Sequence, residues 1–316
     1  MITFGFVGPS LPLCRLLTQA VLTCYSFFVA EITDEHKWNL LRKKTQEVQA
    51  LRVFSAFREN DIEPILIKGL AAAQYYPEPG SRFSIDVDLA VPVTDFETAC
   101  SIAVSPATKG IGIDVHREMR HLDTVGWQDL FINSRLIEVE GGNVRVLRPE
   151  DHLRVLCVHW LNDGGANKDK LWDIYYAVKN RPADFDWDRC LNIVSKTRRR
   201  WIVCAIGLAR HYLQLNLDDT PIKGEADDLP AWLIREVERE WSSSTVLRPM
   251  HIYLNDASAF FAQIKKRLRP NAIQATVEME GSFDARTRAH YQIGNIFKRI
   301  IPSYKRMSEA FKSKPA

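Results

Sequence analysis

The hydrophobic pattern changes period along the chain. Leu13, Leu16, Leu17, Val21, Leu22, Phe27 and Phe28 recur at helical spacing and predict an amphipathic or buried helix. A second, more charged helix is expected from Trp38 to Glu59, with Leu40, Leu41, Val48, Leu51, Phe54 and Phe57 as its apolar stripe. The period then shortens. Pro64 to Ile67 is a short apolar run, read as a buried strand that gives way at Lys68-Gly69 to a helix over Leu70 to Tyr76, stopped by Pro77, Pro79 and Gly80. Phe83 to Val91 and Ile111 to His116 read as further strands, and Arg135 to Glu140 and Asn143 to Leu147 flank Gly141-Gly142 as a hairpin.

From Pro149 the pattern is helical almost to the end. Pro149 suits a first helical position, and Glu150 and Asp151 suit a first turn, where the helix dipole favours negative charge. Further helices are expected over Asp169 to Lys179, Asp186 to Ser195, Arg199 to Leu213, Ala231 to Trp241 and His251 to Lys266. The expected organisation is therefore N-terminal helices over 1–62 packing on a core at 63–147, a helical domain over 148–305 and a frayed tail at 306–316.

Composition narrows the picture modestly. The 316 residues are 46% hydrophobic and 26% charged, as in soluble globular chains. A net charge of +3 does not by itself imply nucleic acid. The six cysteines include no CxxC pair, which predicts reduced thiols, no disulfide and a cytoplasmic protein. The longest charge-free apolar run, Leu16 to Ala30, falls short of the roughly 18 residues of a membrane span, and no Lys or Arg precedes the apolar N-terminus as in a secretory signal. A core-packed helix and no membrane association are expected there.

The informative residues are Asp86 and Asp88. If Phe83 to Val91 is one strand, Ile85, Val87 and Leu89 face a core and both aspartates project together on the other side. Asp is disfavoured in strands, and two on one face repel unless a cation lies between them. Either a divalent metal resolves this, or the pair solvates an edge strand. In Ile113-Asp114-Val115-His116, Asp114 and His116 share a face. If that strand pairs beside the first, three carboxylates meet on one side, an arrangement suited to a two-metal site for phosphoryl displacement.

Several segments together resemble a known family. Ile67-Lys68-Gly69, Tyr75-Tyr76-Pro77-Glu78-Pro79-Gly80, Arg82 and Asp86-Val87-Asp88-Leu89 resemble the signature of a bacterial branch of the polymerase-β-like nucleotidyltransferases, generally described as uncharacterised. Asp114 to Arg117, Leu147 to His152, His159 and Trp172-Asp173-Ile174 are similar to its downstream parts. The resemblance spans Trp38 to Trp241 and implies an α+β fold, a small mixed β-sheet flanked by helices and followed by a mainly α-helical C-terminal domain. It further implies a nucleoside triphosphate donor, ATP first, and Mg²⁺ as two ions, with Mn²⁺ an option. Asp86, Asp88 and Asp114 would hold the metals, with Asp114 also a base toward an acceptor hydroxyl. Lys68, the Gly69 backbone and Arg82 would hold the triphosphate, and His159 would line the substrate cleft.

Two departures bear on activity. The connection between Asp88 and Asp114 is shorter than the family's, so a displaced Asp114, and a degenerate protein that binds nucleotide or a partner without transfer, is the alternative reading. Lys68-Gly69 stands where the wider superfamily has Gly-Ser. The acceptor is not identified by the sequence; a small molecule or protein is favoured over a long nucleic acid, because phosphate binding needs clustered Lys and Arg.

The remaining candidates are weaker. His152 and His159 share a helix face but lack a compact zinc-binding pattern, so they read as structural or cleft-lining. Asp173 is expected to be buried and paired, with His159 one candidate partner. Lys196 to Arg200 reads as a solvated helix start. No P-loop, GxGxxG or GxSxG motif is present.

Overall fold

The computed structural model describes residues 34–78, 80–243, 252 and 256–298. The apolar N-terminal helix and the frayed tail expected from the sequence lie outside the described residues.

Helix α1 (Asp34–Arg58) leads into strand β1 (Ile65–Leu66), the four-residue helix α2 (Gly69–Ala72) and a 3-10 turn (Ala73–Tyr75). Strand β2 (Val87–Val91), helix α3 (Phe96–Ala103) and strand β3 (Ile113–Arg117) form a parallel crossover. Helix α4 (Trp127–Ile132) precedes the hairpin of β4 (Arg135–Val139) and β5 (Gly142–Val146). The five strands form one mixed sheet in the order β3-β2-β1-β5-β4, and β1 pairs antiparallel to β2 and parallel to β5. The fold is α+β.

Side-chain alternation divides the sheet's surroundings into two cores. Leu66, Val87, Leu89, Val91, Val144 and Val146 pack with Val53, Phe54 and Phe57 of α1 and with Ala99 and Ile102 of α3. On the other face Ile65, Ile67 and Ala90 join the helical core of α5 (Pro149–Asn162), α6 (Asp169–Lys179) and α7 (Lys196–Leu213). The sheet is thus covered on both sides, which is why β2 is buried along its whole length.

Several sequence expectations need correction. Leu41 and Val48 are exposed, because only the C-terminal half of α1 lies over the sheet. The hairpin turn is Glu140-Gly141, both at positive φ, and Gly142 belongs to β5 opposite Val139. A Cβ on Gly142 would meet the Leu51 side chain at 2.6 Å, so glycine serves there for close approach. The basic run starts a helix at Lys196, as expected, but its arginines are not simply solvated: Arg198 is buried against Glu280 and the His121 carbonyl, Arg199 pairs with Glu225, and Arg200 with Asp284.

The helical part is tied together by a buried ion network. Arg154 on α5 lies 2.7 Å from Asp151 and 2.8 Å from Asp123, and donates to the Arg189 carbonyl at 2.8 Å. All three charged groups are essentially inaccessible, and Arg189 adds a second cation at 2.8 Å from Asp151. Removing one partner of such a set leaves an uncompensated buried charge. Arg154→Ala is therefore expected to lower unfolding free energy by about 3–5 kcal/mol, read from urea denaturation; a loss near zero would contradict the network's role.

His152 is wholly buried on the same helix, its Nδ1 3.1 Å from the Tyr75 hydroxyl. Burial pushes its imidazole down to about 3, with nearby Arg135 acting in the same direction. The unfolded chain thus takes up a proton near the usual 6.5 that the folded chain refuses until about 3. Stability from this site is complete above the first value and is lost as pH falls toward the second. His152→Gln should flatten the acid side of the stability profile across that window, measured by urea unfolding at a series of pH values; an unchanged slope would contradict the assignment.

Candidate metal centre

Strand β2 supplies the buried carboxylate. Val87, Leu89 and Val91 enter one core, so Asp88 lies on the opposite face with Ala90, toward the helical part, and is 8% exposed. Strand β3 lies parallel to β2 with Asp114 in register with Asp88 and His116 with Ala90. Asp114 is half-exposed, whereas His116 is buried. The short connection holds one helix, α3, and still brings Asp114 beside Asp88; it does not displace the strand.

The third contributor is Lys68, between β1 and α2, at φ +56° and ψ −136°. A lysine at positive φ is uncommon and costs backbone energy that its surroundings must offset. Its ammonium is buried 2.6 Å from Asp88 Oδ1, 2.9 Å from His116 Nε2 and 3.7 Å from Asp114 Oδ2. His116 Nε2 in turn lies 2.9 Å from Asp114 Oδ2.

Electrostatics follow from burial. Burial raises Asp88 to about 6, the Lys68 charge opposes this, and Asp86 and Asp114 add to it. His116 is lowered to about 4, chiefly by burial and then by Lys68, so its ring is neutral at pH 7 and able to act as a ligand. One atom each from Asp88, Asp114 and His116 all lie within 4.8 Å of one another. The two carboxylate oxygens suit a hard divalent cation such as Mg²⁺ or Mn²⁺, and the imidazole adds a ligand type more usual for softer divalent ions, so the residues present fit a divalent metal.

The other predicted residues stand differently. Asp86 precedes β2, is exposed, and lies outside that ligand set, although its charge is felt at Asp88. Ile85 is 88% exposed and not in a core, because the strand begins only at Val87. Here the chain is bent by Ser84, whose hydroxyl donates to the Asp86 carbonyl at 3.1 Å and whose carbonyl accepts from Gln46. Gly69 opens α2 directly against Ser84; a Cβ at this glycine would lie 2.3 Å from Ser84 Oγ.

Arg82 does not reach out toward a triphosphate in this conformation. Its Nε and Nη2 donate to Asp173 at 2.7 and 2.9 Å, and its Nη1 bonds the Phe83 carbonyl. The Tyr76 hydroxyl also donates to Asp173 at 2.7 Å, so Asp173 pairs with Arg82 and Tyr76 instead of His159. Arg82 and Tyr76, but not Asp173, line a groove of about 500 Å³ that also includes Phe83, Asp169, Trp172 and Tyr176. His159 Nε2 lies 3.0 Å from Lys170 and 3.7 Å from Asp163. Burial lowers it to about 3, opposed by Asp163, while Lys170, Lys68 and His116 push it down further.

A larger cavity, about 710 Å³, opens at the far ends of β2 and β3 beside Arg117 and Arg120, and none of the carboxylate cluster lines it. His116 is the residue the sequence reading left unassigned. Strand alternation had already put it on Asp114's face, and that was the available signal.

Comparison with known proteins adds the following. A crystal structure of an antigenic nucleotidyltransferase-like protein from Paracoccidioides brasiliensis is similar at 14% identity and a TM-score of 0.41, covering 56% of this chain and 91% of that one. No curated protein matches. A family model described as "Uncharacterised nucleotidyltransferase" matches residues 14–107 and 103–214, the stretch that carries Lys68, Asp88, Asp114 and His159. The chain therefore belongs to this nucleotidyltransferase family.

Proposed function

We propose that the protein transfers a nucleoside monophosphate from a nucleoside triphosphate, ATP first, to a hydroxyl-bearing acceptor and releases pyrophosphate in a Mg²⁺-dependent reaction. The observation that carries this reading is the register of Asp88 with Asp114 on parallel strands, converging with His116 and the Lys68 ammonium. Residues 63–147 carry the chemistry, and residues 148–305 wall the cleft through His159.

Asp88, Asp114 and His116 would hold a divalent cation, with Asp86 at the mouth for a second. When bound, the metal neutralises charge on the phosphates and polarises the α-phosphorus. Asp114, half-exposed beside the buried Asp88, takes the proton of the acceptor hydroxyl. That oxygen forms a bond to the α-phosphorus as the α–β bridging bond breaks, and pyrophosphate leaves with the electron pair. Lys68 and the Gly69 backbone hold the phosphates. Arg82, committed to Asp173, holds the groove wall in place, and contacts a triphosphate only if it gives up that pair.

The acceptor class follows from charge. The arginines of the basic run are spent on internal ion pairs, which supports a small molecule or protein over a long nucleic acid. Cys100, Cys157, Cys190 and Cys204 are free thiols, which supports a reducing, cytoplasmic setting; among the described residues no helix is long and apolar enough to cross a membrane. A second reading, nucleotide binding without transfer, is favoured by one observation: Lys68 already neutralises Asp88.

The test is incubation with labelled ATP, CTP, GTP and UTP plus Mg²⁺ and cell lysate, following label transfer and pyrophosphate. Nucleotide bound with no pyrophosphate released would select the second reading. Asp88→Asn should reduce transfer by at least about 10²-fold, the scale on which loss of one electrostatic stabiliser registers. It should also lower the stability of the metal-free protein by leaving Lys68 underpaired. Asp114→Asn should abolish single-turnover transfer while lowering Mg²⁺-dependent nucleotide affinity less than Asp88→Asn does, since it loses one half-exposed ligand together with the base for the acceptor proton. Wild-type transfer in either variant would contradict these roles.

A further inference from the structure

The Lys68 ammonium occupies the place where a cation shared by the carboxylates and His116 would sit. It lies within hydrogen-bond reach of Asp88 and His116, and 3.7 Å from Asp114, so it touches all three of the residues that could ligate a metal. Its side chain is as buried as that of Asp88, and the backbone beneath it is held at positive φ. This is a built arrangement. Gly69, the next residue, is wedged against Ser84 with no room for a side chain, which fixes the chain from which Lys68 projects.

From this we infer that Lys68 is the resident counter-ion of the site and exchanges with the metal, so that the protein selects a metal–triphosphate complex over a free divalent cation. The inference rests on the functional reading above and deepens it by naming the form of the substrate.

A divalent cation entering alone must share a buried site with a fixed positive charge a few ångströms away, or expel that charge from its buried partners toward exposed Asp86, where an ion pair is screened by water and worth little. His159 and Lys170 lie on the helical side and offer the displaced ammonium only a neutral ring and a second cation; Asp163, the carboxylate there, already accepts from Lys170 at 2.7 Å. A triphosphate changes both terms. Its oxygens supply new partners for the ammonium at the moment the metal takes over Asp88, so the two arrivals assist each other. By linkage the help is reciprocal: nucleotide raises metal affinity by the factor by which metal raises nucleotide affinity. Asp86, exposed beside the site and accepting from the Ser84 hydroxyl at 3.4 Å, is the remaining nearby carboxylate and keeps an oxygen to meet the incoming complex.

The experiment measures Mn²⁺ binding by electron paramagnetic resonance, with and without the non-transferable analogue α,β-methylene-ATP, in the wild type, Lys68→Met and Lys68→Gly. The glycine variant removes the ammonium and also suits the positive φ, so one variant stays folded if the other does not; circular dichroism checks both. In the wild type, Mn²⁺ alone should bind weakly, and the analogue should tighten it by about 5–150-fold. In the variants Mn²⁺ alone should bind about tenfold or more tightly than in the wild type, with the analogue adding little further.

Equal or weaker Mn²⁺ affinity in both variants would overturn the exchange, as would undiminished synergy with the analogue in them. If that occurs while the wild type still releases pyrophosphate, the exchange fails and the transferase reading stands. If no protein binds Mn²⁺ even with the analogue, both fall.

Discussion

A carboxylate inside a strand covered on both faces is costly unless a cation meets it, and the pair of Asp88 with Lys68 is the interaction on which this structure turns. Asp88 is held by the antiparallel pairing of β1 with β2, and Lys68 follows directly from β1, so the two partners come from neighbouring strands. The strained backbone at Lys68 and the bare α-carbon of Gly69 are what this geometry requires. One lets the lysine turn back over the sheet, and the other lets α2 start against Ser84. The pair is thus a consequence of topology as much as of charge.

The rest of the molecule keeps that pair in place. The sheet's second face is continuous with the helical core through Ile65, Ile67 and Ala90, so the helices cannot move away from the cluster without opening apolar surface. The knot of Arg82, Tyr76 and Asp173 ties the segment between α2 and β2 to α6. His159, from α5, sits beside Lys170 and Asp163 with a ring kept neutral by burial. A half-exposed Asp114 stands beside a buried Asp88, so the two carboxylates meet in different environments.

Much of this was legible in the sequence where a single period governs. Alternation put Asp114 and His116 on one face, and helical spacing located α6 and the helix over Ala231–Trp241 at their observed limits. The family signature led to the fold class and to Lys68, Asp88 and Asp114. What escaped depends on contacts remote in sequence. Phe83 to Asp86 alternates like a strand but is bent by Ser84 packing on Gly69 and Gln46, so Asp86 falls outside the sheet. Arg82 looks free in the sequence and is spent on Asp173, 91 positions away. Arg198 looks solvated and is buried on Glu280. No local pattern encodes these partners.

If Asp88 and Asp114 form one cation site that Lys68 vacates when substrate arrives, anomalous diffraction at the manganese edge from crystals grown with Mn²⁺ and α,β-methylene-ATP should show it. A manganese peak is expected beside the Asp88 and Asp114 carboxylates, with the Lys68 ammonium moved onto phosphate oxygens. Manganese bound away from both carboxylates, or an ammonium still seated on Asp88 with nucleotide in the cleft, would contradict it.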